Sequence, residues 1–251
     1  MSGHSKWSTI KHQKGVTDAR RGQLFTKLAR EITVAARQGG DNPDMNVRLR
    51  LAVQKARDSN MPLDNIERAT KRGAGGGEGA NDALEEATYE GYGPGGVAIM
   101  LHTLSDNRNR TVSEVRSTFS KGGGSLGENG CVSWNFLPQG VVTAEVNPDE
   151  GEEVALVAID AGAEDFKLEE SYLEIYAIPE NFDLLRSAME ERGVKINTAE
   201  LSMVPKSTVS VDQKTAEQTL KLLDKLEELD DVQKVYTNAD FPDDVLEQYK
   251  A

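Results

Sequence analysis

From residue 18 onward, apolar side chains recur at helical spacing. Leu24, Leu28, Ile32 and Ala35 share one face, and Phe25 and Ala36 widen the stripe. This predicts a helix over residues 18–37, with Arg20, Arg21, Lys27, Arg30 and Arg37 mostly off the apolar face and Gly39-Gly40 as the stop. After the Asp41-Asn42-Pro43 turn, Leu49, Val53 and Ala56 predict a second helix over 44–59. Pro62 suits the first position of a third helix, with Leu63, Ile66 and Ala69 inward and Gly73 at its end. The three helices form one small unit. Residues 1–16 carry no such period. With Lys6, Lys11, Lys14, two glycines and no acid, they predict a mobile or extended arm.

The glycine-rich stretch 73–79 reads as a linker, and the pattern then changes. Strands are predicted over 87–92 and 97–104, joined by the turn Gly93-Pro94-Gly95-Gly96. A helix opens at Thr111, where Thr111 and Glu114 have capping-box spacing, and 131–136 reads as another strand. Residues 138–204 then read β-α-β-β-α-β, the ferredoxin-like split βαβ order. The strands are 141–146, 165–168, 172–178 and 194–204, and the helices are 152–161 and 182–191. The tail adds a helix over 213–229 and a strand over 232–237. An αβ piece alone cannot cover its own apolar surface, so the tail is expected to return and complete the unit at 80–137. The expected fold is α+β multidomain: a basic arm and three-helix domain at 1–75, a discontinuous middle domain at 80–137 and 205–251, and a ferredoxin-like domain inserted at 138–204. In the tail helix, Ala216, Leu220, Leu223 and Leu226 span barely two heptads, which fits domain core better than a dimer seam.

The chain has 251 residues, a length that suits two or three domains. Its single cysteine, Cys131, leaves no internal disulfide and fits a reducing compartment. No run of about 18 apolar residues is present to span a membrane. The N-terminus resembles neither a secretory signal nor an import presequence, so a cytoplasmic location is expected. The net charge of −13 argues against nucleic acid, but its distribution argues for it: residues 1–75 balance to +8 and residues 76–251 to −21. The basic part is suited to a polyphosphate that would repel the acidic part.

Lys6, Lys11 and Lys14, with Trp7 and His12 interleaved, suit phosphate contact plus stacking on a base or sugar. The competing reading is a solvated tail whose Trp7 tucks against the first helix. Arg108 and Arg110 precede a predicted helix N-terminus, where a phosphate could be held. Spacing alone favours arginines paired with the protein's own acids and an Asp106/Asn107 turn. The glycines at 91–96 and 122–130 match neither nucleotide-binding fingerprint and read as turns. Two of the three histidines, His4 and His12, lie in the arm, and His102 lies in a predicted strand. Cys131 has no adjacent histidine, so catalytic and metal sites are weakly supported.

Several motifs occur in order. Gly3-His4-Ser5-Lys6-Trp7 leads to Ile10-Lys11-His12, then Asp18, Arg21-Gly22, Phe25-Thr26-Lys27 and Glu31-Ile32. Tyr89-Glu90-Gly91-Tyr92-Gly93-Pro94-Gly95-Gly96 follows, then Asp106-Asn107-Arg108-Asn109-Arg110-Thr111 and Phe119-Ser120-Lys121-Gly122-Gly123. Together they closely resemble the YebC-type proteins, described as probable transcriptional regulators, whose mitochondrial relative is the translational activator of cytochrome c oxidase. The resemblance covers nearly the whole chain. It implies a helical N-terminal domain with two α+β domains, one inserted in the other. It also implies a cytoplasmic, cofactor-free role in DNA binding or in ribosome- or RNA-linked translation. On this basis the arm is favoured as a nucleic-acid contact and 105–111 becomes a second candidate.

The expected function is therefore a non-enzymatic, nucleic-acid-binding regulator, with no metal, membrane or small-molecule substrate. The expected contacts are Lys6, Trp7, Lys11, His12, Lys14, Arg20, Arg21, Lys27, Arg30, Arg108 and Arg110. A translation factor on ribosomal RNA is the rival within the class. A ligand- or protein-binding module is the rival outside it.

Overall fold

A computed structural model describes Trp7 and residues 18–76 and 84–250. From Asp18 onward the described residues form α1 (Asp18–Gly39), α2 (Val47–Asp58) and α3 (Leu63–Gly73). Leu28, Ile32 and Ala35 of α1 close on Leu49, Val53 and Ala56 of α2 and on Ile66 and Ala69 of α3. The stripe read from the sequence is thus the buried one. α2 starts later than its apolar pattern predicts because Asn46 caps it. The Asn46 side chain accepts from the Leu49 N–H at 3.0 Å and donates to the carbonyls of Ala35 and Gly40, both at 2.8 Å. Gly73 does more than stop α3. A Cβ there would lie 2.3 Å from the Thr33 carbonyl oxygen, so glycine lets α3 press against α1.

The first sheet opens with β1 (Glu85–Tyr92) and β2 (Ala98–Ser105), antiparallel across a turn in which Gly95 and Gly96 take positive φ, 71° and 78°. α4 (Arg108–Lys121) follows, and β3 (Ser125–Leu126) pairs with β1. The second sheet is built from β4 (Phe136–Glu145), α5 (Gly151–Asp160), β5 (Ala163–Glu169), β6 (Tyr172–Ala177), α6 (Phe182–Glu191) and β7 (Lys195–Pro205). The chain then returns through β8 (Val209–Ser210), α7 (Gln213–Glu227), β9 (Val232–Thr237), β10 (Ala239–Asp240) and α8 (Asp243–Lys250).

β9 lies antiparallel to β2, which gives the first sheet the order β3-β1-β2-β9. The tail thereby covers apolar surface that the segment before β4 leaves open. The second sheet has the order β5-β6-β4-β7 with every neighbour antiparallel, the split βαβ arrangement expected from its element order. α5 and α6 cover one of its faces through Val154, Ala158, Leu185 and Met189. Both faces of the first sheet are buried. Ile99 and Leu101 meet Leu220, Leu223 and Leu226 of α7, while Ala98 and Met100 meet Val132, Phe136 and Tyr236, with Met203 of β7 against them. The architecture is α+β.

Three expectations are corrected. The strand expected over 131–136 is a turn and a single 3-10 turn, Ser133–Asn135, before β4 begins at Phe136. The cause is Glu90, whose carboxylate accepts the N–H groups of Gly130, Val132 and Ser133, each at 2.8 Å, and so curls the chain around itself. Helix α4 begins at Arg108, not Thr111, because the Asn107 side chain caps it by accepting from the Arg110 N–H at 3.1 Å. The tail carries a further helix, α8, that the sequence reading omitted. Part of the expected linker, and nearly all of the expected mobile arm, lie outside the described residues.

Candidate nucleic-acid interface

Of the expected contact residues, Lys6, Lys11, His12 and Lys14 lie outside the described residues, as does the side chain of Arg20. Trp7 is described, and it is not poised to stack on a base. It is 1% exposed, within the core that α7 and α8 form on the first sheet. Tyr249, which packs against the same core, donates its hydroxyl proton to Asp224. Burial first, then Asp224, push the Tyr249 phenol well above its ordinary range. Trp7 is thus a core residue, held by apolar burial rather than left free in a tail.

Arg21 is exposed on α1. Lys27 and Arg30, about two turns further along α1, turn towards the acidic body. The Lys27 ammonium donates to the Glu227 carbonyl. Arg30 donates to the Asp230 carbonyl at 2.6 Å and to the Asp231 carboxylate at 3.2 Å. Arg110 arrives at the same carboxylate from α4, at 2.8 Å, and also bridges Asp106. The hydroxyls of Thr111 and Ser105 complete the shell around Asp231, at 2.7 and 3.0 Å. Burial raises this carboxyl, but these donors outweigh burial and hold it below the ordinary carboxylate range. Lys27, Arg30 and Arg110 therefore join elements of the protein to one another. Arg108 alone of the 105–111 pair is exposed and outside any ion pair among the described residues.

Other cations of the helical unit are used in the same way. Arg48 pairs with Glu31 and Glu86, Arg50 with Asp183, and Lys55 with Glu200 at 2.9 Å. These fasten the small basic unit to both sheets. The outer side of α3 differs. Arg68, Lys71 and Arg72 stand exposed at i, i+3 and i+4, and among the described residues none has an acidic partner. Part of the effect of Lys71 and Arg72 is local, since cations in a last helical turn interact favourably with the helix dipole. They nonetheless leave a positive surface facing solvent. The sequence reading passed over it because the arm carried the more conspicuous motif; the signal was the spacing of three cations opposite Ile66 and Ala69.

The two residues that bear on catalysis are both partly buried. His102 packs edge-on against Tyr236, with ring centroids 5.0 Å apart, and burial, then Lys234, lower its pKa. Burial, then Glu90, raise the Cys131 thiol, away from the reactive thiolate. Among the described residues, no group of His, Cys, Asp and Glu is arranged to hold a metal ion.

Comparison with known proteins places this geometry among relatives. Residues 5–76 match the family model of the TACO1/YebC protein N-terminal domain, and residues 84–239 that of the TACO1/YebC second and third domain. A probable transcriptional regulatory protein of Dehalococcoides mccartyi is 59% identical over 249 residues, covering 99% of this chain and 98% of the relative. One of the same description from Halothermothrix orenii is 53% identical over 251 residues, covering 99% and 98%. The crystal structure of a conserved hypothetical protein from Aquifex aeolicus is similar with a TM-score of 0.79 and 49% identity, over 90% of this chain and 93% of that one.

Proposed function

The chain belongs to the TACO1/YebC family, and from that premise we propose that it is a non-enzymatic regulator of gene expression that binds nucleic acid through its N-terminal region. The observation that carries this reading is the segregation of charge. Residues 1–75 balance to +8 on a chain whose remainder balances to −21. An acidic body repels phosphate and biases the approach towards the basic end. Five cations of that end are tied to the body or to α1's own Glu31; we assign the contact to the arm lysines, Arg20 and Arg21, together with the outer side of α3. Arg68, Lys71 and Arg72 have the chemistry of phosphate contact, which positions a protein without reading bases.

The relatives are named probable transcriptional regulatory proteins, and for a role in transcription we take duplex DNA as the target. Structured RNA, including ribosomal RNA, offers the same phosphates and is the alternative. The reading implies work in the cytoplasm, and no described helix is long and apolar enough to cross a membrane. Crosslinking in cells, followed by sequencing of the bound DNA and RNA, tests the proposal. Enrichment of DNA sites supports the transcriptional role, and enrichment of ribosomal or messenger RNA replaces it with a translational one. Recovery of neither at levels above an untagged control rejects nucleic-acid binding altogether.

A further inference from the structure

A shallow groove of about 290 Å³ runs between the end of α4 and the outer side of α7. Lys121 stands on one wall; Gln218, Lys221 and Lys225 stand on the other, with buried Leu222 among the lining residues. The two helices are held close by glycine. A Cβ on Gly122 would lie 2.6 Å from Leu222, and Gly123, at φ 80°, turns the chain away beside Pro94. The groove is thus a feature of the first sheet's helical layer, and it includes the glycine turn at 122–123 that the sequence reading treated only as a turn.

Several cations of the acidic body meet acids: Arg110 with Asp231, Arg186 with Glu190, Lys195 with Glu145 and Lys234 with Glu200. Three lysines line the groove, no acid lines it, and none of the three makes an ion pair or hydrogen bond among the described residues. A polyanion bound there would meet positive charge that the protein leaves unmatched.

We infer that this groove is a second contact for the phosphodiester backbone of nucleic acid, resting on the nucleic-acid reading above. Backbone rather than a single free phosphate is indicated by what the site lacks. The amides of Gly122, Gly123 and Gly124 are all spent on carbonyls of α4, so they form no anion cradle. Only separated side-chain ammoniums remain. Lys221 and Lys225 lie one turn apart on α7, about 6 Å along its axis, and Lys121 faces them, a spacing that suits successive phosphates. Such contacts add affinity and orientation but no sequence preference.

The test uses the full chain with Lys121→Gln, Lys221→Gln and Lys225→Gln. A control with Lys167→Gln, Lys195→Gln and Lys206→Gln makes the same change in net charge away from the groove. Matching thermal melts establish that both remain folded. Binding to a DNA duplex and to an RNA duplex of the same sequence is then titrated with salt. The groove variant is expected to lose affinity several-fold and to flatten the log–log salt slope by about 2 to 3, with the control changing it by less than 1. Whichever duplex shows the larger loss identifies the source of the backbone. A groove variant that binds both duplexes as the control does overturns the inference and leaves the N-terminal reading intact. Failure of the unmodified chain to bind either duplex overturns both.

Discussion

Arg30 of α1 donates to the carboxylate of Asp231, a residue 201 positions later, at 3.2 Å. That pair converts a basic helix into a brace. Asp231 is nearly sealed from solvent, yet four side chains from three parts of the chain supply its donors. A charge in such a place needs all its partners, because an unmatched buried charge is costly. The consequence is that Lys27 and Arg30, which look like phosphate ligands in the sequence, are engaged before any ligand arrives.

Replacing Lys27 and Arg30 together by glutamine should therefore leave the salt slope of nucleic-acid binding within experimental error of the unmodified chain. The same change should weaken the link between α1 and the first sheet, lowering the midpoint of denaturant unfolding. A flattened slope with unchanged stability would reassign the two residues to the ligand.

Asp231 should make stability depend on acid. Its folded carboxyl is held below the ordinary aspartate value of about 4, so its contribution is complete above that pH and is lost as pH falls through the lower folded value. Asp231→Asn should cost about 2 to 3 kcal/mol at pH 7 and should reduce the fall in stability on acidification. Thermal melts at pH 7, 5 and 3 give the comparison. Parallel pH curves for the two proteins would show that another carboxylate governs acid unfolding.

Trp7→Ala should destabilise the protein by about 3 to 5 kcal/mol, because it empties a fully enclosed site in the core of the first sheet. Guanidinium unfolding measures it. An independent check uses Trp134→Phe, which removes the 64% exposed second tryptophan. The remaining emission should be blue-shifted and poorly quenched by acrylamide. Free quenching would place Trp7 in solvent.

Much of the fold was legible in the sequence because long periodic segments carry their own signal. The α1 stripe and the β-α-β-β-α-β order are of this kind, and the tail's return to β2 followed from an apolar surface that needed a cover. The misses share a different cause. The turn at 131–135 is dictated by Glu90, forty residues earlier, and the start of α4 by a cap one residue outside it; neither leaves a period. The candidate site was less legible for the same reason. Charge counts mark where cations lie in the chain but not which of them find acids in space. Arg68, Lys71 and Arg72 and the groove lysines emerged only once the pairs of Arg30, Arg48, Arg50, Lys55 and Arg110 were known. Trp7 carried two readings in the sequence, and only its neighbours on the first sheet separate them.

The insertion of residues 138–204 remains a proposal that the pairing of Phe136 with Pro205 supports, since it brings both ends of the second sheet side by side. Expressed alone, this segment should show a cooperative thermal transition. A fragment without one would mean that the second sheet requires Leu51 and the ion pairs of α2 for its stability.

The central claim is that the N-terminal cations carry most of the affinity for nucleic acid. Trp7 belongs to the core of the first sheet, so deleting residues 1–75 would damage the body, and the test must use the whole chain. Lys6, Lys11, Lys14, Arg20, Arg21, Arg68, Lys71 and Arg72 are changed together to glutamine, and binding to DNA and RNA duplexes is titrated with salt. With about 4 to 6 phosphates contacted by this surface, the unmodified chain should show a log–log slope of roughly −3 to −5 from it. The variant should bind much more weakly and lose most of that slope at unchanged melting temperature. A variant that binds as tightly as the unmodified chain, with the same slope, would contradict the account.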